Sequence, residues 1–493
     1  MTECCQQTFG FQALGSRRVE ADFSGGHLSS DGGLLLLREM DRRLGLCEKL
    51  ARCFADTRDE RFVEHSLPVM VRQRVLGLAL GYEDLNDHEQ LRADPLLAAA
   101  CGNPDLLGET RRHEQDKGKA LAGKSTLNRL ELGAAQNSGK YRRINADPAA
   151  IRDLLLDEGV KAIPRRSRVI VLDFDATDDP IHGAQEGRFF HGYYRNYCYL
   201  PLYCFCGDIP LCAELRKSDR DAAHGTLEAL QRIVPAIRKR LGNDVNIIVR
   251  GDSGFCRDDL MTWIEAQPHV HYVLGLARNA RLQALLDPAF ETLRAAHEQT
   301  CGQARSEGRE EPHSARAFVE FQYRTKDSWS RERRVIGKAE ILGDKNNPRF
   351  IVTDLTGTEE WVADLPAIAS GRDLYEKFYC ARGDMENRIK EQQLDLFADR
   401  TSTTPMASNQ LRLWFSTFAY LLLARLRGIA LHGTVLAKAT AGTIRLRLLK
   451  IAAMVVVSVR RVHVRMATAF PLQSVFAAAR QRLIHDPPLQ ADD

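Results

Sequence analysis

The sequence lacks any apolar run long enough to cross a bilayer, and it has no cysteines in a CxxC arrangement. Its longest apolar runs, such as residues 451–459, are well below the roughly 20 residues of a membrane-spanning helix. The first residues do not follow the charged-then-apolar order of a signal peptide. We therefore expect a cytoplasmic protein without a membrane partner, in a compartment where cysteines stay reduced.

Four of the twelve cysteines lie close together, at positions 198, 204, 206 and 212. Their surroundings are aromatic and strand-like, and the spacing without a CxxC pair does not match the usual zinc-binding patterns. These cysteines are interpreted as small buried side chains rather than as zinc ligands.

Acidic residues are scarce at the C-terminal end, where residues 401–493 contain three Asp or Glu and twelve Lys or Arg. Residues 1–400 have the opposite balance, with 62 acidic and 57 basic residues. Many of the C-terminal arginines fall within apolar helical patterns at 411–431 and 444–464. We predict a basic helical C-terminal region at 401–493 that contacts the backbone of a nucleic acid.

Residues 1–160 are predicted to be mostly helical, and they form either a DNA-binding or dimerisation module or a plain helical domain. Within them, residues 118–125 (GKALAGKS) match the phosphate-binding loop pattern GxxxxGK[ST]. That loop requires an apolar strand directly before it, and the sequence has none there. We interpret Lys124 and Arg129 instead as part of a polar helix that contacts a DNA backbone.

Residues 161–278 alternate apolar strands with helical patterns, which predicts an open α/β sheet. One strand runs into Asp173 and Asp175, and a second strand is followed by Asp252. Carboxylates at the ends of buried strands are costly unless they are paired or bind a metal. The tetrapeptide at 251–254 (GDSG) resembles the nucleophile segment of serine proteases, but the preceding His224 is too close in sequence for that fold.

Residues 279–370 begin as a polar, helix-like stretch and continue as alternating strands, which predicts a β-rich insertion. Trp329 lies in a charged segment of this region and is expected to be exposed. It is interpreted either as a hairpin-tip tryptophan without a ligand or as a side chain that stacks on an unpaired base.

Residues 371–400 contain a predicted helix on which Tyr379, Arg382, Glu386 and Lys390 share one stripe. Taken alone, Glu386 and Lys390 form an ordinary i,i+4 pair on a solvated helix. Together with the two strand-end aspartates, Glu386 instead completes an all-oxygen site that suits Mg²⁺ or Mn²⁺. Two such ions, about 4 Å apart, catalyse phosphoryl transfer in polymerases and nucleases.

Several motifs occur along the chain in a fixed order. They are residues 124–131 (KSTLNRLE), 172–178 (LDFDATD), 182–187 (HGAQEG), 191–194 (HGYY), 250–255 (RGDSGF) and 379–390 (YCARGDMENRIK), followed by the arginine-rich C-terminal region. In this order the motifs resemble those of bacterial insertion-sequence DDE transposases of the thirteen-eighty family.

The resemblance implies an α/β RNase H-like catalytic domain with a β-rich insertion, flanked by helical N-terminal and basic helical C-terminal regions. It implies that Asp175, Asp252 and Glu386 are the catalytic residues and the ligands of two Mg²⁺ or Mn²⁺ ions. Asp175 matches the acid of the family's Asp-x-Thr step better than Asp173 does, because Thr177 follows it at the right place.

Tyr379 and Arg382 match the Tyr-xx-Arg-xxx-Glu signature of related transposases and are expected to contact DNA. The wider signature has a lysine seven residues after the glutamate, where this chain has Gln393. Lys390 lies one turn earlier on the same stripe. It is either a contact to a DNA phosphate or the ion-pair partner of Glu386.

The function expected from this resemblance is cut-and-paste transposition. The partners would be double-stranded DNA with terminal inverted repeats, the target DNA, and a second copy of the chain in a homodimer at the bacterial nucleoid. Two alternatives remain open from the sequence. One is a stand-alone RNase H-like nuclease that cuts without strand transfer, and the other is a DNA-binding regulator whose acidic triad is only structural.

Overall fold

The computed structural model describes residues 8–134, 143–343 and 345–485, which form two compact units. We call Arg152–Lys390 with Asp399–Leu413 the sheet unit. We call Met1–Ile151 with Glu391–Ala398 and Trp414–Asp493 the helical unit. In the described ranges, no helix combines the length and the apolar character needed to cross a membrane.

The strands, numbered along the chain, are β1 (Phe9–Leu14), β2 (Arg17–Ala21), β3 (Leu28–Ser29), β4 (Phe54–Asp56), β5 (Ile144–Ala146), β6 (Val169–Ala176), β7 (Asp179–Pro180), β8 (Phe189–His191), β9 (Asn196–Tyr199), β10 (Leu202–Cys206), β11 (Ile209–Glu214), β12 (Asn246–Gly251), β13 (Val270–Leu276), β14 (Ser314–Tyr323), β15 (Arg333–Leu342), β16 (Lys345–Asn346), β17 (Arg349–Thr353), β18 (Ala453–Val457) and β19 (Val462–Met466).

The α-helices are α1 (Leu34–Leu44), α2 (Leu46–Ala51), α3 (Leu67–Ala79), α4 (His88–Leu91), α5 (Pro95–Cys101), α6 (Lys124–Glu131), α7 (Pro148–Ala162), α8 (Thr226–Leu241), α9 (Asp258–Glu265), α10 (Ala280–Ser306), α11 (Gly371–Asp373), α12 (Gly383–Lys390), α13 (Met406–Ile429), α14 (Ala441–Ile444) and α15 (Gln473–His485).

The sheet unit is built on one large mixed sheet in the order β11-β10-β6-β12-β13-β17-β15-β14, with β16 paired to β15. The three central strands β6, β12 and β13 run parallel, and the pairs on either side of them are antiparallel. All six residues of β12 are buried, as expected for a parallel strand covered on both faces. The mixed α/β fold predicted from the sequence is therefore confirmed.

Two hydrophobic clusters cover the two faces of this sheet. On one face, side chains of β6 and β12 such as Leu172 and Val249 pack with residues of α7, α8, α9 and α10. On the other face, Ile248 and Val273 pack with Leu374 and Phe378 from the segment that leads into α12. This second face is the one toward which the odd-numbered side chains of β6 and the even-numbered side chains of β12 point.

The strands expected to form a β-rich insertion extend the central sheet. After the 27-residue helix α10, β14, β15 and β17 form an antiparallel ladder that joins the sheet through β17 and β13. The register places Val273 of β13 opposite Thr353 of β17. The strands were recognisable from their alternation, but their partner strand was not, because alternation carries no information about pairing.

The prediction of a continuous helix over residues 444–464 was wrong. Helix α14 continues as a π-helical turn over Arg445–Leu449, but residues 453–466 form the antiparallel pair β18 and β19, with β18 also pairing with β3. Alternation in β18 buries Ala453 and Val455 while Val456 is 41 % exposed. The valine-rich run favours a strand because β-branched side chains are restricted in helices and pack well on a pleated surface.

The expectation that Trp329 is exposed was also wrong. Its side chain is only 4 % exposed and makes an edge contact with the ring of Tyr323, with ring centroids 5.8 Å apart. The Arg333 guanidinium lies 5.5 Å from the Trp329 ring and is paired with Asp258 and Glu265. The charges around Trp329 therefore neutralise one another over a buried ring, and the tryptophan has no open face for a base.

We predict that Trp329→Ala lowers the free energy of unfolding by about 3–5 kcal/mol, because it leaves a cavity in the core. The affinity of the folded variant for duplex DNA is expected to stay within about two-fold of the wild type. Denaturant unfolding and a DNA-binding titration measure the two quantities, with Lys326→Ala at an exposed neighbouring position as the control. If the variant kept its stability but lost affinity for DNA, the prediction would be wrong and Trp329 would be a DNA contact.

Candidate active site

The ends of β6 and β12 bring acidic and basic side chains to one face of the sheet. In the parallel register Arg250 lies opposite Asp173, and Gly251 lies opposite Phe174. Continuing that register by one residue places Asp252 beside Asp175. Because side chains alternate along a strand, Asp173 and Asp175 share the face that also carries Arg250.

Asp173 and Arg250 form a buried, two-pronged ion pair. Arg250 Nε and Nη2 donate to the two carboxylate oxygens of Asp173, at 2.5 and 2.8 Å. Arg250 Nη1 also donates to the backbone carbonyl of Phe378, and the guanidinium lies 5.0 Å from the Phe378 ring. Both oxygens of Asp173 are therefore held by a buried guanidinium, whereas Asp175 accepts from the backbone N–H of Ala176 and from Arg382, which is the more accessible of the two arginines.

The segment predicted as one helix changes its winding several times. After α11 it forms a π-helical turn over Leu374–Tyr379 and a 3₁₀ turn over Cys380–Arg382, and then continues as α12. Met385 and Ile389 are the buried side chains of α12. A 3₁₀ turn has three residues per turn, so Tyr379 and Arg382 stay on one side, and the i,i+4 spacing of Arg382, Glu386 and Lys390 continues that side along α12.

Arg382 links two of the predicted catalytic carboxylates. Its Nη1 lies 3.1 Å from Asp175 Oδ2, and its Nη2 lies 2.7 Å from Glu386 Oε1. The Asp175 side chain is 13 % exposed and that of Glu386 is 44 % exposed. The chain thus joins β6 and α12 through one guanidinium, with Glu386 on the solvent side.

The pKa of Asp175 reflects this arrangement of charges. The pKa of Asp175 is raised to about 6, because burial, together with the charges of Asp252 and Glu386, outweighs the opposing effect of Arg382. Asp252 itself is held in place by its Oδ1, which accepts a hydrogen bond from the backbone N–H of Gly254 at 2.8 Å. The three carboxylates come from three separate segments, and Asp175 interacts electrostatically with the other two.

Tyr379 lies against β13 beside the turn that follows Asp252. A Cβ atom built on Gly275 would lie 2.5 Å from the Tyr379 hydroxyl oxygen and 2.8 Å from the backbone nitrogen of Ser253. Burial raises the pKa of Tyr379, while nearby Arg382 lowers it. Glycine at position 275 is therefore what lets the Tyr379 ring and the Asp252 turn approach the strand together.

The donor chemistry of this site fits a hard divalent cation, because Asp175, Asp252 and Glu386 offer only carboxylate oxygens. Within the described ranges, however, no three His, Cys, Asp or Glu side chains converge closely enough to form a ready-made metal centre. Arg382 accounts for this difference, since its charge lies between Asp175 and Glu386. A cation that bound both carboxylates would have to take the place of the guanidinium.

Lys390 is exposed, and Glu386 has Arg382 as its ion-pair partner. In the described part of the chain Lys390 makes no ion pair with Glu386. The interpretation of Lys390 as the partner of Glu386 was therefore wrong. The alternative role of this lysine, a contact to a phosphate, stays a prediction.

Lys124 and Arg129 lie on the exposed side of α6 in the helical unit. Lys124 Nζ donates to Asn86 Oδ1 at 3.2 Å. Arg129 lines a cleft of about 290 Å³ together with Arg58, Arg143 and Phe62. The 118–125 segment is preceded by a 3₁₀ turn at Glu114–Asp116 rather than by a strand, so the context of a phosphate-binding loop is absent there.

Two residues of the site were missed in the sequence. Arg250 was not predicted, because an arginine at the end of a strand is usually an exposed surface residue. Its separation from Asp252 by two residues was the available signal, since alternate residues of a strand share a face. Tyr194 was quoted only as part of a motif. Burial raises its pKa, and Asp178, Asp175 and Asp252 raise it further, which places this tyrosine beside the carboxylates.

We predict that Gly275→Ala destabilises the protein by about 1–3 kcal/mol, because the added methyl group overpacks the contact with Tyr379 and the Asp252 turn. Gly302→Ala is the matched control, since that glycine lies in α10 with no atom within 4 Å of an added Cβ. The control should be neutral or slightly stabilising. Equal unfolding midpoints for the two variants would contradict the packing described around Gly275.

We predict a pH-dependent stability contribution from Asp175. Its folded pKa of about 6 exceeds the ordinary value of 3.8, so the folded state binds the extra proton and stability falls as pH rises from about 4 to 6. Asp175→Asn removes this group. In the absence of divalent cations, the free energy of unfolding of the Asp175→Asn variant minus that of the wild type should therefore increase between about pH 4 and 6. A difference that does not change with pH would contradict the burial of Asp175.

A comparison with protein families identifies the family of the chain. The family model described as transposase DDE domain, group 1, matches residues 11–488, which is nearly the whole chain. A search of curated proteins found no match. Proteins with such a domain are transposases that act on DNA, generally with divalent metal ions. On the extent of this match, the chain belongs to the group 1 DDE-domain transposases.

Proposed function

We propose that the protein is a transposase of the thirteen-eighty type, which cuts DNA at terminal inverted repeats and joins the 3′-hydroxyl ends to target DNA. The observation that carries the proposal is that the partly buried Arg382 guanidinium pairs with both Asp175 and Glu386, while Asp252 is near enough to raise the pKa of Asp175. Each carboxylate comes from a different segment of the chain, and DNA is the substrate of the family. Such an arrangement favours chemistry on a phosphodiester over a purely structural role.

The central sheet supports an RNase H-like catalytic core. The five strands β11-β10-β6-β12-β13 combine an antiparallel half and a parallel half that meet at β6. Asp175 and Asp252 lie at the ends of the two central strands of this set. The strands β14, β15 and β17 lie between the second aspartate and Glu386 in sequence, as expected for an insertion in such a core.

Asp175, Asp252 and Glu386 would hold the divalent ions, which we propose to be two Mg²⁺ or Mn²⁺. Bound there, the ions would activate a water or a 3′-hydroxyl and stabilise the leaving oxygen. Before the ions bind, Arg382 pairs with Asp175 and Glu386 and reduces the repulsion between them. Once displaced, its guanidinium would be free to bind the phosphate next to the reaction, since arginine forms two-pronged hydrogen bonds with phosphate oxygens.

The remaining predicted contacts fit a long DNA substrate. Tyr379 lies near both Arg382 and Asp252, and Lys390 is exposed at the end of α12, where it would contact a phosphate. Lys124 and Arg129 supply cations in the helical unit. We propose a homodimer as the active form, because the two ends of an element must be processed together, and we propose that it acts at the bacterial nucleoid in the cytoplasm.

We predict that Asp252→Asn and Glu386→Gln each lower the rate of DNA strand cleavage by at least about 100-fold, because each removes a ligand charge. The assay uses a donor plasmid with the inverted repeats that flank the gene, with Mg²⁺ or Mn²⁺. Asp384→Asn, an exposed acid on the same helix, is the control and should cut at the wild-type rate.

The same assay separates the alternatives. Cleavage without joining of 3′-hydroxyl ends to a target plasmid would favour a stand-alone nuclease. Binding to the repeats without cleavage in any divalent cation would favour a regulator. Undiminished cleavage in either charge-neutral variant would refute the proposed triad.

A further inference from the structure

A short hairpin beside the carboxylates exposes an unusual number of aromatic rings. It consists of β8, the turn at residues 192–195 and β9. The exposed fractions are 49 % for Phe189, 49 % for Phe190, 84 % for Tyr193 and 44 % for Tyr197. Exposed aromatic side chains grouped in one place indicate a binding surface rather than a core.

Two of these rings and one cation lie on the same face. Phe190 pairs with Tyr197 across the ladder, and their rings meet edge to face with centroids 5.5 Å apart. The Arg188 guanidinium lies 4.4 Å from the centroid of the Tyr197 ring. Arg188, directly before β8, and Phe190 both contact the Tyr197 ring and therefore lie on the same side of the hairpin. We call Arg188, Phe190 and Tyr197 the aromatic face.

The hairpin is positively charged and its cations are not neutralised. Residues 188–197 contain two arginines, Arg188 and Arg195, and no Asp or Glu. Arg188 donates to the backbone carbonyl of Gly183 at 2.7 Å. In the part of the chain that the structure describes, neither arginine forms an ion pair with a carboxylate. The chemistry of this surface therefore complements an anion that carries flat rings.

The turn of the hairpin reaches the proposed active site. Tyr194 lies close enough to Asp175 and Asp252 for both to raise its pKa. Asn196 Nδ2 donates to Asp178 Oδ2 at 3.3 Å, which ties the start of β9 to the segment that follows β6. Tyr197 directly follows Asn196, and Asp178 lies three residues after Asp175, so the aromatic face adjoins the segment that carries Asp175.

We propose that the aromatic face binds an unpaired base of the DNA strand next to the scissile phosphate. In a paired duplex the faces of the bases are covered by their neighbours, so exposed rings of this kind gain stacking only from bases that have left the helix. Arg188 adds a cation for the adjacent phosphate. The inference rests on the proposed function, because it requires DNA to be held at Asp175 and Asp252.

The aromatic face takes the role that the sequence suggested for Trp329. That tryptophan is buried against Tyr323, whereas the hairpin presents its rings to solvent. The loss of one ring from the hairpin is also tolerable for folding, because Phe190 and Tyr197 are about half exposed. Variants at these positions are therefore suitable for binding measurements.

The test compares two oligonucleotide probes bound by the full-length protein in EDTA, which prevents cleavage. One probe is a fully paired duplex, and the other is the same duplex with a two-nucleotide unpaired end that contains 2-aminopurine. The wild type should bind the unpaired end more tightly and quench its fluorescence. Phe190→Ala and Tyr197→Ala should each weaken binding of the unpaired-end probe by about ten-fold and change binding of the paired probe by less than two-fold.

Two controls separate ring stacking from general effects. Tyr197→Phe keeps the ring and should retain wild-type affinity for the unpaired-end probe. Leu342→Ala removes a half-exposed apolar side chain at the end of β15 and should leave both affinities unchanged. Thermal unfolding of each variant confirms that the fold is intact.

Three results would overturn the inference. Alanine variants that bind the unpaired-end probe like the wild type exclude base stacking on this face. Equal weakening of both probes makes the face a general duplex contact. Wild-type probe binding by alanine variants that have lost dimerisation in sedimentation makes it an interface between two copies. Donor cleavage by the wild type, measured separately, shows whether the proposed function stands in each case.

Discussion

The buried ion pair between Arg250 and Asp173 is the constraint on which the site depends. It spans the two central parallel strands, and through Arg250 it also holds the backbone carbonyl and the ring of Phe378. Removing one partner of such a pair leaves an uncompensated buried charge, which costs about 3–5 kcal/mol. The pair holds both oxygens of Asp173 in the core, whereas Asp175, two residues later, is paired with the more accessible Arg382.

Next to this ion pair, the charge of Arg382 between Asp175 and Glu386 can be replaced by the charge of a divalent cation. Arg382 offsets the repulsion between Asp175 and Glu386, yet the pKa of Asp175 remains raised to about 6 because burial and the neighbouring carboxylates outweigh that cation. A divalent cation brings more charge to the same place than a guanidinium. The site is therefore stable without a metal ion, and its remaining negative charge still favours the binding of one.

The features that could be read from the sequence are local ones. Asp175 and Asp252 follow apolar strands, and Glu386 lies four residues from Arg382, so each pattern is contained within a few residues. The pairing of Arg250 with Asp173 depends on a parallel register between segments 77 residues apart, which no local pattern specifies. Trp329 was misjudged for the same reason, because its charged neighbours are neutralised by Asp258 and Glu265 from a distant helix. The strands at 453–466 depend in part on pairing with Leu28 and Ser29.

The central claim is that Asp175, Asp252 and Glu386 form one cation site from which Arg382 is displaced. Anomalous diffraction from crystals of the protein soaked in Mn²⁺ tests it most directly. We expect a manganese peak bound by Asp175 together with Asp252 or Glu386, with the Arg382 guanidinium moved away from between the carboxylates. A guanidinium that still bridges Asp175 and Glu386 at saturating Mn²⁺, with the manganese bound elsewhere, would contradict it.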